Sequence, residues 1–137
     1  MAQLLIENGA DLNVAREDES TPLHWAAING RKVVAQLLME RGADLNVTDK
    51  EGRMPLHWAA LNGYKDVAQL LIENGADLNV ADEEGKTPLH WAAMNCFKEV
   101  VKLLINSGAD MDKADNQGHT PRQWKSVVEF ANLSITM

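Results

Sequence analysis

One seven-residue block recurs along this chain at a fixed spacing, and this repetition constrains the fold more than any other feature. Its clearest copy is Thr87–Ala93, TPLHWAA, and the same letters stand at Thr21–Ala27. Met54–Ala60 differs at one position, and Thr120–Trp124 is a degenerate fourth copy. Successive copies begin 33 residues apart without an insertion or deletion. The chain is therefore predicted to be an array of repeated structural units.

The second half of each unit is repeated as well. Gly42–Asn46 and Gly75–Asn79 both read GADLN, and Ala2–Val14 is identical to Ala68–Val80 over 13 residues. A 33-residue period that carries T-P-L-H-x-A is typical of ankyrin repeats, and the chain resembles that family over almost its whole length. The resemblance implies an all-α solenoid of helix–turn–helix units, with β-hairpin loops that project from one side.

We predict a single domain over residues 1–137 that contains three full repeats and two incomplete ends. The predicted divisions are a half repeat at 1–15, full repeats at 16–48, 49–81 and 82–114, and a degenerate C-terminal capping unit at 115–137. The half repeat lacks a first helix, so its second helix has no neighbour on one side. Such an end suggests truncation of a longer array, fraying, or end-to-end association of two copies.

The composition narrows the class of partner. The formal net charge of −7 disfavours a nucleic-acid surface and modestly favours a partner with basic patches. The single cysteine, Cys96, fits a reducing compartment. No basic and apolar leader opens the sequence, and it contains no run of about 18 apolar residues that could span a membrane. These features predict a soluble, cytoplasmic or more broadly intracellular protein, the nucleus included, with neither nucleic acid nor membrane as a partner.

The Thr-Pro pairs predict where the first helix of each unit begins. Thr21 and Thr87 can cap free backbone N–H groups, and the proline that follows has no N–H to leave unpaired. Met54 offers no capping oxygen, so its unit should begin less firmly. Longer second helices are predicted at residues 32–41, 65–74 and 98–107, each followed by glycine, with Val33 among the apolar residues of the first.

Three features depart from the repeat pattern. Glu19 stands in the first loop where the later loops have glycine. A left-handed conformation costs a non-glycine residue roughly 1–2 kcal/mol, so this hairpin should be distorted. Cys96 replaces the glycine that ends the first two short helices. In the last unit, Trp124 and later apolar residues predict one closing helix from Pro121 to about Asn132, followed by a loose tail.

No residue pattern points to catalysis. His24, His57 and His90 occupy equivalent positions on helices that pack about 8–10 Å apart, which is too far for one metal ion with bonds of about 2 Å. The resemblance implies instead that each histidine bonds its threonine and nearby backbone. Cys96 has no adjacent activating base, and phosphate loops, zinc-ligand pairs and nucleophile motifs are missing. We predict a protein that is not an enzyme, with no catalytic residues, metal or cofactor.

Tryptophan recurs on the first helix of every unit, at Trp25, Trp58, Trp91 and Trp124. A ladder of indole rings can stack on a ligand, or it can fill the space beneath the hairpins. We favour the packing role, with the outer edges of the rings available to a partner.

The best candidates for partner contact are positions that the fold does not require. An apolar residue and an asparagine follow each alanine pair, on the side of the first helix that is concave in similar repeats. Such a line of apolar side chains marks an interaction site if it is exposed, and the alternative is partial burial against the neighbouring helix. The predicted contacts on the first helices are Trp25, Ile28, Asn29, Trp58, Leu61, Asn62, Trp91, Met94 and Asn95. Those at the hairpin rim are Ser20, Lys50, Arg53, Glu83 and Lys86.

The resemblance also implies one covalent modification. Asn13, Asn46 and Asn79 follow Ala-Asp-Leu at positions where ankyrin repeat proteins resemble substrates of an asparaginyl hydroxylase. The equivalent residue of the last repeat is Asp112, which is excluded from this set.

Together these observations predict a non-catalytic module that binds a protein partner through its concave helix and hairpin face. Two alternatives stay open. The uncovered N-terminal helix would allow the chain to self-associate, and the 13-residue identity would fit an engineered or reconstructed consensus-like scaffold without a natural partner. Irregular residues such as Cys96, Met54 and Glu19 argue against an idealised design.

Overall fold

The structure, a computed structural model, describes residues 16–124. This range contains six α-helices in three pairs, each of one short and one longer helix. The pairs are α1 (Pro22–Ile28) with α2 (Lys32–Glu40), α3 (Pro55–Leu61) with α4 (Lys65–Glu73), and α5 (Pro88–Met94) with α6 (Lys98–Asn106). A 3-10 turn follows at Pro121–Gln123, and no β-strand occurs within the described range. The predicted all-α repeat array is confirmed, and its hairpin loops are turns rather than paired strands.

Each short helix begins at its proline, held by a local exchange of hydrogen bonds. Thr21 Oγ1 accepts from the His24 N–H at 3.4 Å, and His24 Nδ1 accepts from the Thr21 N–H at 3.1 Å. Thr87 and His90 repeat this arrangement. Met54 has no hydroxyl, but its N–H still donates to Nδ1 of the following histidine at 3.0 Å. α3 is as long as α1 and α5, so the missing hydroxyl does not shorten the helix. A lower stability of this helix start stays a prediction.

The short helices stack in one row and the longer helices in a second row. α3 contacts α1 and α5, α4 contacts α2 and α6, and each short helix packs on its own longer helix. Leu23, Leu56 and Leu89 are fully buried. Complete burial of each leucine contributes roughly 1.5–3 kcal/mol. The core is therefore a ribbon that runs along the array, as expected of a solenoid.

The longer helices bury only one face. Leu38 of α2 is fully buried, whereas Val33 is 68% exposed, so the prediction that Val33 belongs to the apolar face is wrong. The residues equivalent to Val33 are Asp66 and Glu99, which are both exposed. The error arose because Val33 and Val34 are adjacent, and only the phase of the helix decides which of them faces the core.

A polar turn precedes each short helix, and an aspartate determines the shape of three of these turns. Asp49 Oδ1 accepts hydrogen bonds from the N–H groups of Glu51 and Arg53, at 2.9 and 3.0 Å. Asp82 and Asp115 make the same pair of bonds in the next two turns. Each of these turns is therefore closed by its own side chain.

The first turn keeps this shape without the aspartate, so the prediction of a distorted hairpin is wrong. The Arg16 N–H donates to the Ser20 carbonyl at 2.9 Å, and the Glu19 N–H donates to the Arg16 carbonyl at 2.8 Å, as in the Asp49 turn. Glu19 adopts the left-handed φ of 64° that glycine takes in the later turns. Asp18 Oδ1 supplies the missing acceptor, since it bonds both the N–H and the hydroxyl of Ser20. These bonds outweigh the cost of the left-handed glutamate.

A left-handed residue also joins the two helices of each pair. Gly63 has a φ of 73°, and a Cβ atom there would lie 2.6 Å from the Phe97 ring. Cys96 occupies the equivalent position after α5 with a φ of 61°. Because cysteine has a Cβ atom, this left-handed backbone conformation costs roughly 1–2 kcal/mol.

The two predicted ends fall largely outside the described residues. The half repeat at 1–15 lies outside them, as does the part of the predicted closing helix beyond Trp124. In the described part, Pro121–Gln123 is a 3-10 turn packed on α5, so the closing helix does not begin at Pro121 as predicted. No helix within residues 16–124 is long and apolar enough to cross a membrane.

Candidate protein-binding face

The short helices and the turns before them form one surface, which we call the helix/hairpin face. It comprises α1, α3 and α5 with the turns at 16–20, 49–53, 82–86 and 115–119. Backbone hydrogen bonds join adjacent turns: the Lys50 N–H donates to the Asp18 carbonyl at 2.9 Å, and the Glu83 N–H donates to the Glu51 carbonyl at 3.0 Å. These bonds hold the side chains of successive turns in register.

The three motif histidines tie each unit to the turn of the next unit. The Nε2 contacts with backbone carbonyls are His24 to Arg53 at 2.8 Å, His57 to Lys86 at 3.2 Å and His90 to His119 at 3.0 Å. Since Nδ1 of each ring accepts a backbone N–H, Nε2 carries the proton and donates to these carbonyls. Burial lowers the pKa of His57 to about 4 and also lowers the pKa of His90. The predicted structural role of these residues is confirmed.

Trp58 and Trp91 are fixed by the turn that precedes their helix. Each indole Nε1–H donates to Oδ2 of the aspartate nine residues earlier, at 2.8 Å in both cases. Both rings are half-buried, in agreement with the favoured packing role. In the first unit the aspartate is replaced by Arg16, and Trp25 is 42% exposed. Trp25 is therefore more exposed than Trp58 and Trp91.

Arg53 lies between two of these rings. Its Cζ atom is 4.8 Å from the Trp58 ring centroid and 4.7 Å from the Trp91 ring centroid. The guanidinium is thus stacked between successive indoles, an arrangement in which each ring face attracts the cation. The prediction that Arg53 is exposed at the rim is wrong, because the residue is only 8% exposed.

Three carboxylates complete the surroundings of the Arg53 guanidinium. The ion pairs are with Glu51 at 2.9 Å, Asp82 at 3.1 Å and Glu84 at 3.2 Å. Burial raises the pKa of Asp82, but hydrogen bonds from the Lys86 N–H, Trp91 and Arg53 outweigh it and hold that pKa below its usual value. Asp82 therefore stays ionised beside the buried cation.

Lys86 and Ser20 are also buried, at 6% and 7% exposure, so their predicted exposure at the rim is wrong as well. Lys86 Nζ lies 3.2 Å from Asp115 Oδ2 and 5.6 Å from the Trp91 ring centroid. Burial raises the pKa of Asp115, but bonds from two N–H groups of its turn and from Lys86 outweigh it and lower the pKa to about 2. Lys86 therefore takes the place of Arg53 one unit later, with one carboxylate and one ring as its partners in the described range.

One recurring position accounts for these three corrections. It is the residue two positions before the proline that begins each short helix, and in the four units it is Ser20, Arg53, Lys86 and His119. A cation at this position reaches the aspartate of the following turn, 29 residues along the chain. The sequence contained a signal for this burial that was missed. A basic residue recurs with the period of the array, and an aspartate follows it after 29 residues.

The predicted apolar contacts are neither fully exposed nor fully buried. Ile28, Leu61 and Met94 are half-buried at the last residue of their short helices. Asn62 Nδ2 donates to the Ile28 carbonyl at 3.2 Å, and Asn95 Nδ2 donates to the Leu61 carbonyl at 2.9 Å. These asparagines thus join successive units, while the apolar side chains keep part of their surface in solvent.

The remaining predicted rim and helix residues lie where a partner can reach them. Asn29 is exposed, and its amide donates to the carbonyl of Trp25 at 2.9 Å. Lys50 and Glu83 are exposed in the second and third turns. The first turn exposes only charged side chains, Arg16, Glu17, Asp18 and Glu19. Three of these four are acidic, so the exposed charge at this end of the face is predominantly negative.

The predicted hydroxylation sites also contribute to packing between units. Asn46 and Asn79 are exposed, and their Oδ1 atoms accept hydrogen bonds from the N–H groups of Asp77 at 3.0 Å and Asp110 at 2.8 Å. Asn13 lies outside the described residues. Hydroxylation at these positions stays a prediction.

Two family models match the chain. One, described as ankyrin repeats (3 copies), matches residues 1–82, and a second, described as ankyrin repeat, matches residues 84–116. The chain belongs to the ankyrin repeat family. Ankyrin repeats generally act as protein-interaction modules and are typically non-catalytic.

No curated protein matches this ankyrin repeat chain. In residues 16–124 of this ankyrin array, no three His, Cys, Asp or Glu side chains gather in a group that could hold a metal ion. The threonine, histidine and aspartate of the motifs are engaged in bonds within and between the repeats. The exposed part of the helix/hairpin face therefore consists of turn side chains and the ends of the short helices.

Proposed function

We propose that this ankyrin repeat protein binds a protein partner, without catalysis, through its helix/hairpin face. The observation that carries the proposal is the line of Ile28, Leu61 and Met94, which are half-buried, together with the exposed ring of Trp25. Ile28 follows Trp25 by three residues, so the two lie on the same side of α1. Apolar and aromatic side chains that keep surface in water are favourably covered by a partner.

The exposed charges indicate the chemistry of the partner. The acidic side chains of the first turn favour basic side chains on the protein that binds there. Lys50 and Glu83 extend the contact along the face, because both are exposed in adjacent turns. An intracellular site of action is part of the same proposal and rests on the single cysteine of the sequence.

Three simultaneous substitutions test the proposed face. Ile28→Arg, Leu61→Arg and Met94→Arg should weaken partner binding by about 100-fold or more, because each places a charge in an apolar contact. The helical circular dichroism spectrum should be unchanged. Partners captured by the wild-type chain are identified, purified and titrated individually by calorimetry with both proteins.

A matched control adds the same charge elsewhere. Val33→Arg, Gln36→Arg and Gln69→Arg replace three exposed, uncharged residues on the longer helices. Binding by this control should equal that of the wild type, and an equal loss in both variants would contradict the assignment of the face. Light scattering over two decades of concentration separates partner binding from self-association, since a mass that rises with concentration favours the latter.

A further inference from the structure

Two equivalent spaces on the helix/hairpin face differ in their contents. The second gap lies between Trp58 and Trp91 and contains the Arg53 guanidinium. The first gap lies between Trp25 and Trp58, one repeat earlier, and the residue equivalent to Arg53 is Ser20. α1 packs on α3 as α3 packs on α5, so two indole rings flank each gap. No cation in the described range contacts Trp25.

The carboxylates that hold Arg53 recur around the first gap. Those of the second gap are Glu51, Asp82 and Glu84. One repeat earlier, the equivalent residues are Asp18, Asp49 and Glu51. All three positions are therefore acidic in both gaps. Glu51 already pairs with Arg53 at 2.9 Å, so Asp18 and Asp49 are the two of these carboxylates that have no ion-pair partner within residues 16–124. The first gap therefore has two unpaired carboxylates and no internal guanidinium.

An acceptor atom is available where the guanidinium of the second gap donates. Asp82 Oδ2 accepts from Trp91 at 2.8 Å and from Arg53 at 3.1 Å. The equivalent Asp49 Oδ2 accepts from Trp58 at 2.8 Å, and no second donor to it occurs among residues 16–124. A carboxylate oxygen has two lone pairs, so Asp49 Oδ2 can accept one further hydrogen bond.

Ser20 does not replace the missing guanidinium. Its hydroxyl donates to Asp18 Oδ1 at 2.6 Å, within its own turn, and its side chain ends there. Trp25 is 42% exposed, whereas Trp58 and Trp91 on either side of Arg53 are half-buried. Trp25, which flanks only the first gap, is thus more exposed than Trp58, which flanks both gaps.

We propose that the first gap is a receptor for an arginine side chain of the protein partner. The guanidinium stacks between Trp25 and Trp58, donates to Asp49 Oδ2 and pairs with Asp18, while Glu51 lies beside it in its ion pair with Arg53. Arginine suits the gap better than lysine, because its planar group stacks on rings and presents several donors to several carboxylates. This assignment rests on the proposed function, since the partner supplies the arginine, but the receptor itself is tested without any partner.

The probe is N-acetyl-L-arginine amide, and the readout is the indole N–H resonances of the 15N-labelled full chain. The resonances of Trp25 and Trp58 should shift saturably as the probe is added, and that of Trp91 should not, because Arg53 already fills the second gap. N-acetyl-L-citrulline amide has nearly the same shape without the charge and should cause no saturable shift. An absent Trp25 response, or an equal response to the citrulline compound, overturns the proposal.

A matched pair of variants tests whether the probe enters the first gap. Ser20→Arg copies the second gap and should fill the first from within, which weakens probe binding by about tenfold or more and raises the Tm by about 3–6 °C. Ser20→Ala leaves the gap open and should bind the probe with an affinity within about twofold of the wild type. Unchanged probe affinity in Ser20→Arg, in a protein with an unaltered helical spectrum, overturns the proposal.

The captured partner then distinguishes this inference from the broader proposed function. Partner binding that survives Ser20→Arg but is lost in the triple arginine variant overturns arginine recognition and leaves the helix/hairpin face assigned. Binding that is lost in both supports arginine recognition on that face. Binding that is lost only in Ser20→Arg supports the receptor and contradicts the role of the apolar line.

Discussion

The first and second gaps of this ankyrin array have the same flanking rings and the same acidic positions, yet only the second holds a cation. Arg53 closes the second gap between Trp58 and Trp91, and Ser20 leaves the first gap without a side chain of that kind. The comparison shows that the repeat pattern places the rings and carboxylates. A single residue before each short helix decides whether the gap is filled from within.

The filled gap is stable because its polar groups are satisfied by one another. Arg53 reaches three carboxylates and two indole rings, and Asp82 accepts bonds from its turn, from Trp91 and from Arg53. A buried charge without such partners would be strongly destabilising. The two gaps should therefore respond differently to matched substitutions.

Removing the aspartate of the second gap should have the largest effect. Asp82→Ala deletes the acceptor for its turn and for Trp91 and leaves Arg53 buried without its least exposed ion-pair partner. The expected loss is about 3–5 kcal/mol in the free energy of unfolding. Asp49→Ala, the matched change at the first gap, strands no buried cation and should cost about 1–3 kcal/mol. Urea unfolding measures both, and equal losses would show that Arg53 does not distinguish the gaps.

The pH dependence of stability should be the next largest effect. His57 donates to the turn that contains Lys86, and burial lowers its pKa from 6.5 to about 4. Below pH 6.5 the unfolded chain binds the proton before the folded chain does, so stability falls towards pH 4, by up to about 3 kcal/mol. Urea unfolding at a series of pH values measures this loss. His57→Gln should remove the part of it that is due to His57 and leave the part due to His90, whose pKa is also lowered by burial.

The aspartates titrate in a different window, which provides an internal control. The pKa values of Asp82 and Asp115 are lowered from 3.8, so the stability that they contribute is present above that pH and is lost below it. His57→Gln should leave this acidic loss unchanged. If His57→Gln instead retains the full loss above pH 4, another group controls that window.

Arg53→Ser converts the second gap into a copy of the first. The expected cost is about 1–2 kcal/mol, since the ion pairs and ring contacts are lost but no unpaired cation is left behind. The variant should also gain a saturable shift of the Trp91 indole resonance with N-acetyl-L-arginine amide. Arg53→Lys is the control, because it keeps a charge in the gap and should show a weaker Trp91 response. If the Trp91 resonance of Arg53→Ser does not shift with the probe, rings and carboxylates alone are not sufficient to bind arginine.

The smallest effect concerns the turn that borders the first gap. Glu19 takes a φ of 64°, whereas the equivalent residue of the second turn is Gly52, with a φ of 75°. Glu19→Gly should stabilise the protein by about 0.5–1 kcal/mol, because glycine adopts this conformation without strain. Gly52→Glu, the reverse change, should destabilise it by more, since the new Cβ atom would lie 3.1 Å from the Glu83 nitrogen. Thermal unfolding of both variants checks the sign and the order.

Much of the fold followed from local chemistry that repeats along the chain. The Thr-Pro pairs predicted the start of the short helices, each of which begins at its proline. The motif histidines were correctly assigned to structure. These predictions succeeded because each depends on bonds or contacts whose pattern recurs in every unit.

Parts of the candidate site could not be predicted in this way. Arg53 and Lys86 were taken for exposed rim residues because both stand in polar turns, where long charged side chains usually face solvent. Their partners lie in the next repeat, so burial depends on how closely the units stack. Val33 was misplaced because helix phase, rather than composition, decided which of two adjacent valines faces the core.

The sequence by itself determined that this protein is an ankyrin array, because the 33-residue period and its capping motifs recur without interruption. Only the tertiary structure decided which charged residues are buried and which gap holds a cation. The physical reason is that each gap is formed by two repeats, with one ring and one cation site from the first and a ring and carboxylates from the second. Such a site exists only once the two units are stacked.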